Sequence, residues 1–522
     1  MRRPRALLAL LGLIAAALGA LAGPAVAGAA EPPSFPVRQG VELKGSPTFD
    51  RMKARDGVVV GVKEDQPGLG AIDVVTGERS GFDVDIARWI AASLGFGEDR
   101  ITYKAIASTN REQAIMNGDI DYYVGTYSIT DGRLRQIDFA GPYLTTGQSL
   151  LVDEDSEIRS ERDLGPDTKV CSATGSSPIQ NIKAEFPDVP TTEFDVYSAC
   201  VEALRNGQVD AVTTDQPILL GYAALYPDEM KVVGEPFSVE EYGVGLRKGD
   251  DVLRAWINRL FADHPRTWQE IYDRNLGSTG VTIPQPKVDP YRSGGAAAEA
   301  DGSDGPAAGV ITDNLDLWGQ ALRNTLLLFL AGGALALALG FLVGAMRVSP
   351  VPIARTIGAL YVNLIRNTPL TVIFFFFAFG YPALGLPTPG YTVLAIGALG
   401  IYTATYIAEV LRAGINTVPV GQAEAARAIG LPFTKVMRLV VLPQAFRSVV
   451  PPMMSVLIAL LKNTTVAAGF SVAELGVIRA NLSERGEDSL TVLLCVAAIF
   501  VVMVLALSAI QRVVESRWRV AR

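Results

Sequence analysis

The chain has 522 residues, with 46 Lys and Arg against 54 Asp and Glu and a formal net charge of −8. That balance lacks the excess of basic residues that nucleic-acid binding requires, so no nucleic-acid partner is expected. One histidine and three cysteines leave little material for a zinc site or a histidine-based triad, so neither a metal nor a catalytic site is expected. Hydrophobic residues make up 49% and the mean hydropathy is +0.27, high for a wholly soluble chain. A polar, charged middle section must therefore be balanced by strongly apolar sections elsewhere.

In chain order, Arg2, Arg3 and Arg5 precede an apolar run over residues 6–21, followed by Pro24 and Ala25-Val26-Ala27. This reads as an export signal over residues 1–30, with an uncleaved anchor helix as the alternative. Either reading places the next section of chain, from residue 31, outside the cytoplasm. No cysteine lies near the cleavage position, which excludes lipid attachment there.

Residues 31–285 read as one extracellular domain, in which the chain from about 58 to 284 alternates short β-rich runs with amphipathic helical stretches. Strands are expected at 58–62, 122–126, 149–152, 211–213 and 243–246, and a helix at 82–94. Such alternation signals an α/β fold with mainly parallel sheets, and two series of this length suggest two lobes. Cys171 and Cys200 lie in this exported section, where a disulfide between them is permitted and would contribute roughly 2–4 kcal/mol. Two separate buried thiols are the alternative. Cys495 lies in an apolar run and reads as membrane packing.

Residues 286–312 are rich in Gly, Ala, Ser and Asp, as in Ser293-Gly294-Gly295-Ala296 and Asp301-Gly302-Ser303-Asp304. They cannot bury a core and read as a flexible linker spanning roughly 25–30 Å. Five runs long enough to cross a bilayer come next, at 322–346, 357–381, 391–411, 449–470 and 490–513. Asn363, Arg366 and Asn367 interrupt the second. With the first domain outside, Arg347, Arg355, Arg427, Lys435, Arg438 and Arg447 fall in cytoplasmic loops. The C-terminus with Arg512, Arg517, Arg519 and Arg522 is then cytoplasmic too, in accord with the positive-inside rule. The expectation is a multi-pass protein of the plasma membrane, surrounded by lipid, with residues 313–522 as its membrane domain.

Within the first domain, Gly81-Phe82-Asp83-Val84-Asp85, Gly118-Asp119-Ile120-Asp121 and Ser128-Ile129-Thr130-Asp131-Gly132-Arg133 occur in order, followed by Asp138-Phe139 and Gly141-Pro142-Tyr143. Together they closely resemble the family-3 bacterial amino-acid-binding proteins. The resemblance implies a two-lobed periplasmic-binding-protein-like (type II) domain closing over one amino acid, with crossings near residues 145–152 and 242–248. A zwitterion needs a cation for its carboxylate and an anion for its ammonium. Arg133 matches the family arginine that takes the carboxylate, which a guanidinium binds bidentately. Ser128, Thr126 and the turn Gly175-Ser176-Ser177 match positions that assist it. Asp215 matches the acid that grips the ammonium, while Asp210 reads as a structural cap. The run Gly61-Val62-Lys63-Glu64-Asp65 looks like the actinobacterial glutamate-binding branch, and Asn110-Arg111 resembles glutamate- and aspartate-binding members. Lys63 and Arg111 are then candidates to neutralise an acidic side chain, since a buried carboxylate needs a paired cation. Glutamate is the first expectation, then glutamine, then aspartate.

In the second half, Gly421-Gln422-Ala423-Glu424-Ala425-Ala426-Arg427-Ala428-Ile429-Gly430, followed by Leu442-Pro443, resembles the cytoplasmic EAA loop of binding-protein-dependent ABC permeases. Arg366-Asn367-Thr368-Pro369 and Leu461-Lys462-Asn463-Thr464-Thr465 resemble the polar (histidine/glutamine-type) amino-acid permeases. The resemblance implies an all-α permease fold of about five spans. Glu424, Ala425, Ala426 and Gly430 would meet the ATPase, as a short helix of small residues closed by glycine. No Gly-x-x-x-x-Gly-Lys-Ser/Thr run occurs, so ATP would be used by a separate cytoplasmic ABC ATPase dimer rather than bound as a cofactor here. Five spans do not enclose a pathway alone, so a second copy or a related permease is expected. A ligand-gated channel is the rival reading, but such channels insert their pore between the lobe halves, whereas these spans all come after the linker.

Overall fold

A computed structural model describes residues 33–288, 307–384, 386, 389–485 and 487–518. The expected export signal lies outside the described residues, as does most of the expected linker. The chain divides into a short unit ending at Pro36 and a large unit, Val37–Arg522, which holds both the lobes and the helical bundle.

The first part of the large unit is two lobes, each built on a five-stranded sheet. The valine-rich run Val58–Val62 forms the buried strand its β-branched residues favour. It pairs in parallel with Ile101–Ala105 and Tyr122–Tyr123. Glu240–Leu246 and Asp138–Thr146 complete this sheet in antiparallel fashion. In the second lobe Val170–Ala173 pairs in parallel with Thr191–Phe194 and Ala211–Asp215, and Gln148–Asp153 and Met230–Val233 add antiparallel. The sheets are thus mixed rather than mainly parallel, because the strands that carry the chain between lobes enter against the others.

The first crossing is at Gly147, where Asp138–Thr146 passes into Gln148–Asp153. The second is at residues 234–239, between Met230–Val233 and Glu240–Leu246, and not at residues 242–248. Tyr242–Leu246 is instead zipped into the first lobe by its pairing with residues 138–144. The crossings touch: Gln148 N donates to Ser238 Oγ at 3.0 Å and Phe237 N to Gln148 O at 2.9 Å. A β-carbon at Gly147 would lie 2.2 Å from Ser238 O, so only glycine permits this approach.

Cys171 and Cys200 form a disulfide, with Cα atoms 5.5 Å apart. It ties the helix Tyr197–Arg205 to the strand Val170–Ala173, so Tyr197 at the helix start is held against the sheet.

The second part is helical. Leu315–Val348, Tyr391–Asn416, Arg447–Phe470 and Ser489–Val514 are each long and apolar enough to cross a membrane. Small residues let the first two approach closely: a β-carbon at Gly340 would fall 2.4 Å from Ile407. The second apolar run is a bent pair, Pro352–Arg366 and Leu370–Ala383, meeting at 99°. Pro369, the N-cap of the second piece, breaks it by lacking an N–H. Gly358 packs on Arg347 at one end, and Ala378 O accepts from Gln208 of the second lobe at the other, so the pair runs between the two ends of the bundle. The expected linker also ends sooner than residue 312, since Ala307–Thr312 is helical and buries Val310 beside Trp318 and Leu475.

The lobes lie at the end of the bundle marked by Phe379, Tyr391 and Ser471. At the opposite end Glu409 pairs with Arg347 and Arg412, next to the helix Val420–Ala428. Ala426 is buried against Val436 and Val441, which leaves Glu424 and Ala425 exposed before Gly430 at φ +86°.

Replacing Cys171 and Cys200 together by serine opens a loop with a sequence separation of 29 and should cost the second lobe about 3 kcal/mol. Chemical denaturation of the purified chain, followed by Trp fluorescence, should show this loss with the helical content of the membrane part unchanged.

Candidate binding cleft

Between the lobes lies a small, tightly closed cavity of about 10 Å³, lined by Ser108, Arg111, Thr126, Ser128, Arg133, Ser176, Ser177, Pro178, Tyr197 and Asp215. Seven of the eight expected ligand residues therefore share one wall. The eighth, Lys63, adjoins it by donating to Ser108 Oγ at 2.7 Å.

Arg133 sits on the short helix Asp131–Gln136, capped by Thr130, and is 1% exposed. Its Nη1 donates to Ser128 O at 2.6 Å and across the cleft to Ser177 Oγ at 3.1 Å. Its Nε lies 3.5 Å from Glu112 Oε1, and its guanidinium lies 5.0 Å over the Tyr127 ring. Tyr127 in turn donates to Glu112 at 2.5 Å. Glu112 and Tyr127 thus hold Arg133 in place from behind. Arg111 stacks on the other approach to Tyr127 at 4.2 Å. Its Nη2 donates at 3.0 Å to Gly175 O of the second lobe. Gly175 has φ +70°, and its Cα faces Thr109 so closely that a β-carbon would lie 3.1 Å away. Ser176 and Ser177 open the helix Ser177–Glu185, so its N-terminal end borders the cavity.

Thr126 takes a left-handed conformation, φ 48°, and its N–H donates to Asp83 Oδ2 at 2.8 Å. Tyr143 donates to the other oxygen at 2.8 Å. Burial raises the Asp83 pKa to about 7, partly offset by these two bonds. Asp215 ends the strand Ala211–Asp215 and takes a 2.5 Å bond from Tyr242. Burial, then the charge of Glu240, pushes its pKa well above the usual carboxylate range, against the Tyr242 bond. Its Oδ1 is buried with no hydrogen-bond partner among the described residues, an acceptor waiting for a donor from the cleft. Lys63 is lowered to about 7, first by burial and then by Arg111, with Asp65 opposing. Asp210, expected as a cap, accepts from Lys169 N at 2.7 Å outside this cavity.

Sequence reasoning missed Tyr197, Ser108 and Pro178 in the wall, and Glu112, Tyr127, Asp83 and Tyr242 behind it. Only Asp83 carried a signal, through its place in Gly81-Phe82-Asp83. Glu112 is a buried acid next to Arg111, a pattern that also fits an ordinary helix surface.

Each half of the chain is similar to known proteins. Residues 58–278 match the model of bacterial extracellular solute-binding proteins, family 3, and residues 317–520 match binding-protein-dependent transport system inner membrane components. The glutamate-binding protein GluB of Corynebacterium glutamicum is 42% identical over 240 residues, 43% of this chain and 80% of that protein. The glutamate transport system permease protein GluC of the same organism is 42% identical over 175 residues, 31% of this chain and 77% of that protein. The ABC transporter glutamine-binding protein GlnH of Bacillus subtilis is 40% identical over 214 residues, 40% of this chain and 77% of that protein. The chain belongs to both families, joining a family-3 solute-binding protein to a transport permease in one multi-pass membrane polypeptide.

Asp215→Asn should raise the thermal midpoint of the ligand-free binding domain at pH 8. A raised folded pKa means that the carboxylate's charge costs stability above the unfolded value near 3.9, and a neutral amide removes that cost. Differential scanning fluorimetry of the purified chain should show the gain shrinking as the pH falls toward 4.

Proposed function

We propose that this chain is the solute-receiving and translocating subunit of an ATP-driven importer of glutamate. The convergence of Lys63, Arg111 and Arg133 opposite Asp215 carries the reading. An α-carboxylate suits Arg133, an α-ammonium suits the unpartnered Oδ1 of Asp215, and a second carboxylate suits Lys63 and Arg111. Relatives named for glutamate in both halves support it. A buried anion facing two or three fixed cations gains where a neutral side chain would leave them uncompensated. Glutamine is the second reading: a Lys63 that titrates near 7 is neutral part of the time and accepts an amide as well, and GlnH is a relative.

ATP is bound and hydrolysed by a separate ABC ATPase dimer that meets Glu424, Ala425, Ala426 and Gly430. The lobes face the cell exterior and the Val420–Ala428 helix the cytoplasm. The chain pairs with a second copy or a related permease, a reading supported by the last span, only 6% buried over its apolar window. The linker keeps the domain near its permease at roughly millimolar effective concentration.

Purified chain in liposomes, with its ATPase, should accumulate labelled glutamate only when ATP is present; glutamate current without ATP would contradict the reading. Lys63→Met should weaken glutamate binding by about 2 kcal/mol, roughly 30-fold. An added carboxylate raises the Lys63 pKa, so binding takes up protons above pH 7 and glutamate affinity should fall several-fold from pH 6.5 to pH 9. Calorimetry across that range should find the slope absent in Lys63→Met.

A further inference from the structure

The helix Tyr197–Arg205 begins at the cavity wall but brings no cap of its own. Its N-cap residue is Val196, whose side chain holds no acceptor, so the N–H groups of its first turn are left to water or to a partner from elsewhere. One partner comes from the other lobe. Asp65 Oδ2 accepts from Ser198 N at 3.2 Å. Tyr222, on the helix Gln216–Leu225, donates to the Asp65 carbonyl and lies 3.5 Å from the same carboxylate oxygen. Asp65 thus meets two helices of the second lobe at once, and a carboxylate at a helix N-terminus is favoured by the helix dipole.

Both sides of this contact are braced. In the first lobe, Asp65 pairs with Ala71 in a short hairpin, and its neighbour Gln66, fully buried, donates to Thr126 Oγ1 at 3.1 Å. In the second lobe, the Cys171–Cys200 disulfide fixes the capped helix to its sheet. A β-carbon at Gly221 would lie 2.2 Å from Pro67 O, so glycine is what lets the helix Gln216–Leu225 come this close. Neither side can follow the other when the lobes separate, and the contact therefore belongs to the closed cleft. Asp65, Ser198 and Tyr222 take no part in the cavity wall, so the contact favours closure whatever side chain the solute carries.

We propose that Asp65 caps the Tyr197–Arg205 helix across the cleft and, with Tyr222, latches the lobes together, so that it sets how long a bound solute stays rather than which solute is chosen. Asp65 touches no solute; it is a positioning residue that acts through the lobe contact. The proposal rests on the solute-binding reading of the same cleft, but not on the solute being glutamate.

Asp65 also acts on the charge of Lys63, so the latch is best broken from its donor side. Ser198→Pro deletes the donated N–H at a second helical position, where Pro178 and Pro217 already stand in Ser177–Glu185 and Gln216–Leu225. Tyr222→Phe deletes a hydroxyl alone. In stopped-flow Trp fluorescence of the full-length chain, each variant should release glutamate at least threefold faster and the double variant at least tenfold, with association within twofold of the unaltered chain. The ratio of glutamate to glutamine affinity should stay within twofold. Ser198→Ala, which keeps the N–H, should release glutamate as the unaltered chain does. Unchanged release from the double variant, a loss carried by slower association, or a shifted affinity ratio would overturn the latch. Asp65→Ala should speed release in the unaltered chain by at least twice the factor it gives in the double variant; equal factors would overturn it too. If Ser198→Pro does not fold, Tyr222→Phe alone decides. Failure of the unaltered chain to bind glutamate would count against the glutamate reading, and the same rates taken with glutamine would still decide the latch.

Discussion

The cleft keeps like charges together in a place water does not reach. Lys63, Arg111 and Arg133 are 6%, 2% and 1% exposed, and burial together with their mutual repulsion lowers the Lys63 pKa to about 7. Such a cluster is costly until an anion enters. The surrounding framework holds it in place: Glu112 and Tyr127 behind Arg133, Ser108 on Lys63, and the Gly175 carbonyl on Arg111. Asp215 is the counterpart on the second lobe, kept in reserve by Tyr242. The cleft thus gathers unfavourable electrostatics that a ligand of matching charge would relieve.

The charged turn also touches the permease half. Residues 108–111 carry Ser108 and Arg111 to the cavity, press on Gly175, and present Thr109 and Asn110 to Arg479. At the far end of the bundle, Glu409 ties Arg347 to Arg412 across two spans just before the Val420–Ala428 helix.

Most of this was legible where chemistry and chain order coincide. Arg133, Ser128 and Asp215 were found through their match to family motifs, since the resemblance and not spacing put them in one cleft, and the valine run at 58–62 reads as a buried strand from its β-branched residues. The disulfide was one of two open readings, because spacing alone does not bring Cys171 to Cys200. The second crossing was misplaced because Tyr242–Leu246 alternates like any strand, and nothing local says which sheet it joins; the pairing with residues 138–144 decides that. Tyr242, Glu112 and Tyr127 were missed for a related reason. They lie one contact removed from the cavity, and contact across 15 to 27 positions leaves no periodic trace. The break at Pro369 was foreshadowed by Asn363, Arg366 and Asn367, but its 99° angle belongs to the packing of the bundle.

The central claim is that the cleft is built for a second negative charge, and calorimetric titration of the full-length chain at pH 7 with glutamate and with glutamine tests it most directly. The two ligands share shape and differ by that charge. A cleft of this kind should bind glutamate at least tenfold tighter, about 1.4 kcal/mol. Glutamine binding equally well or better would contradict it.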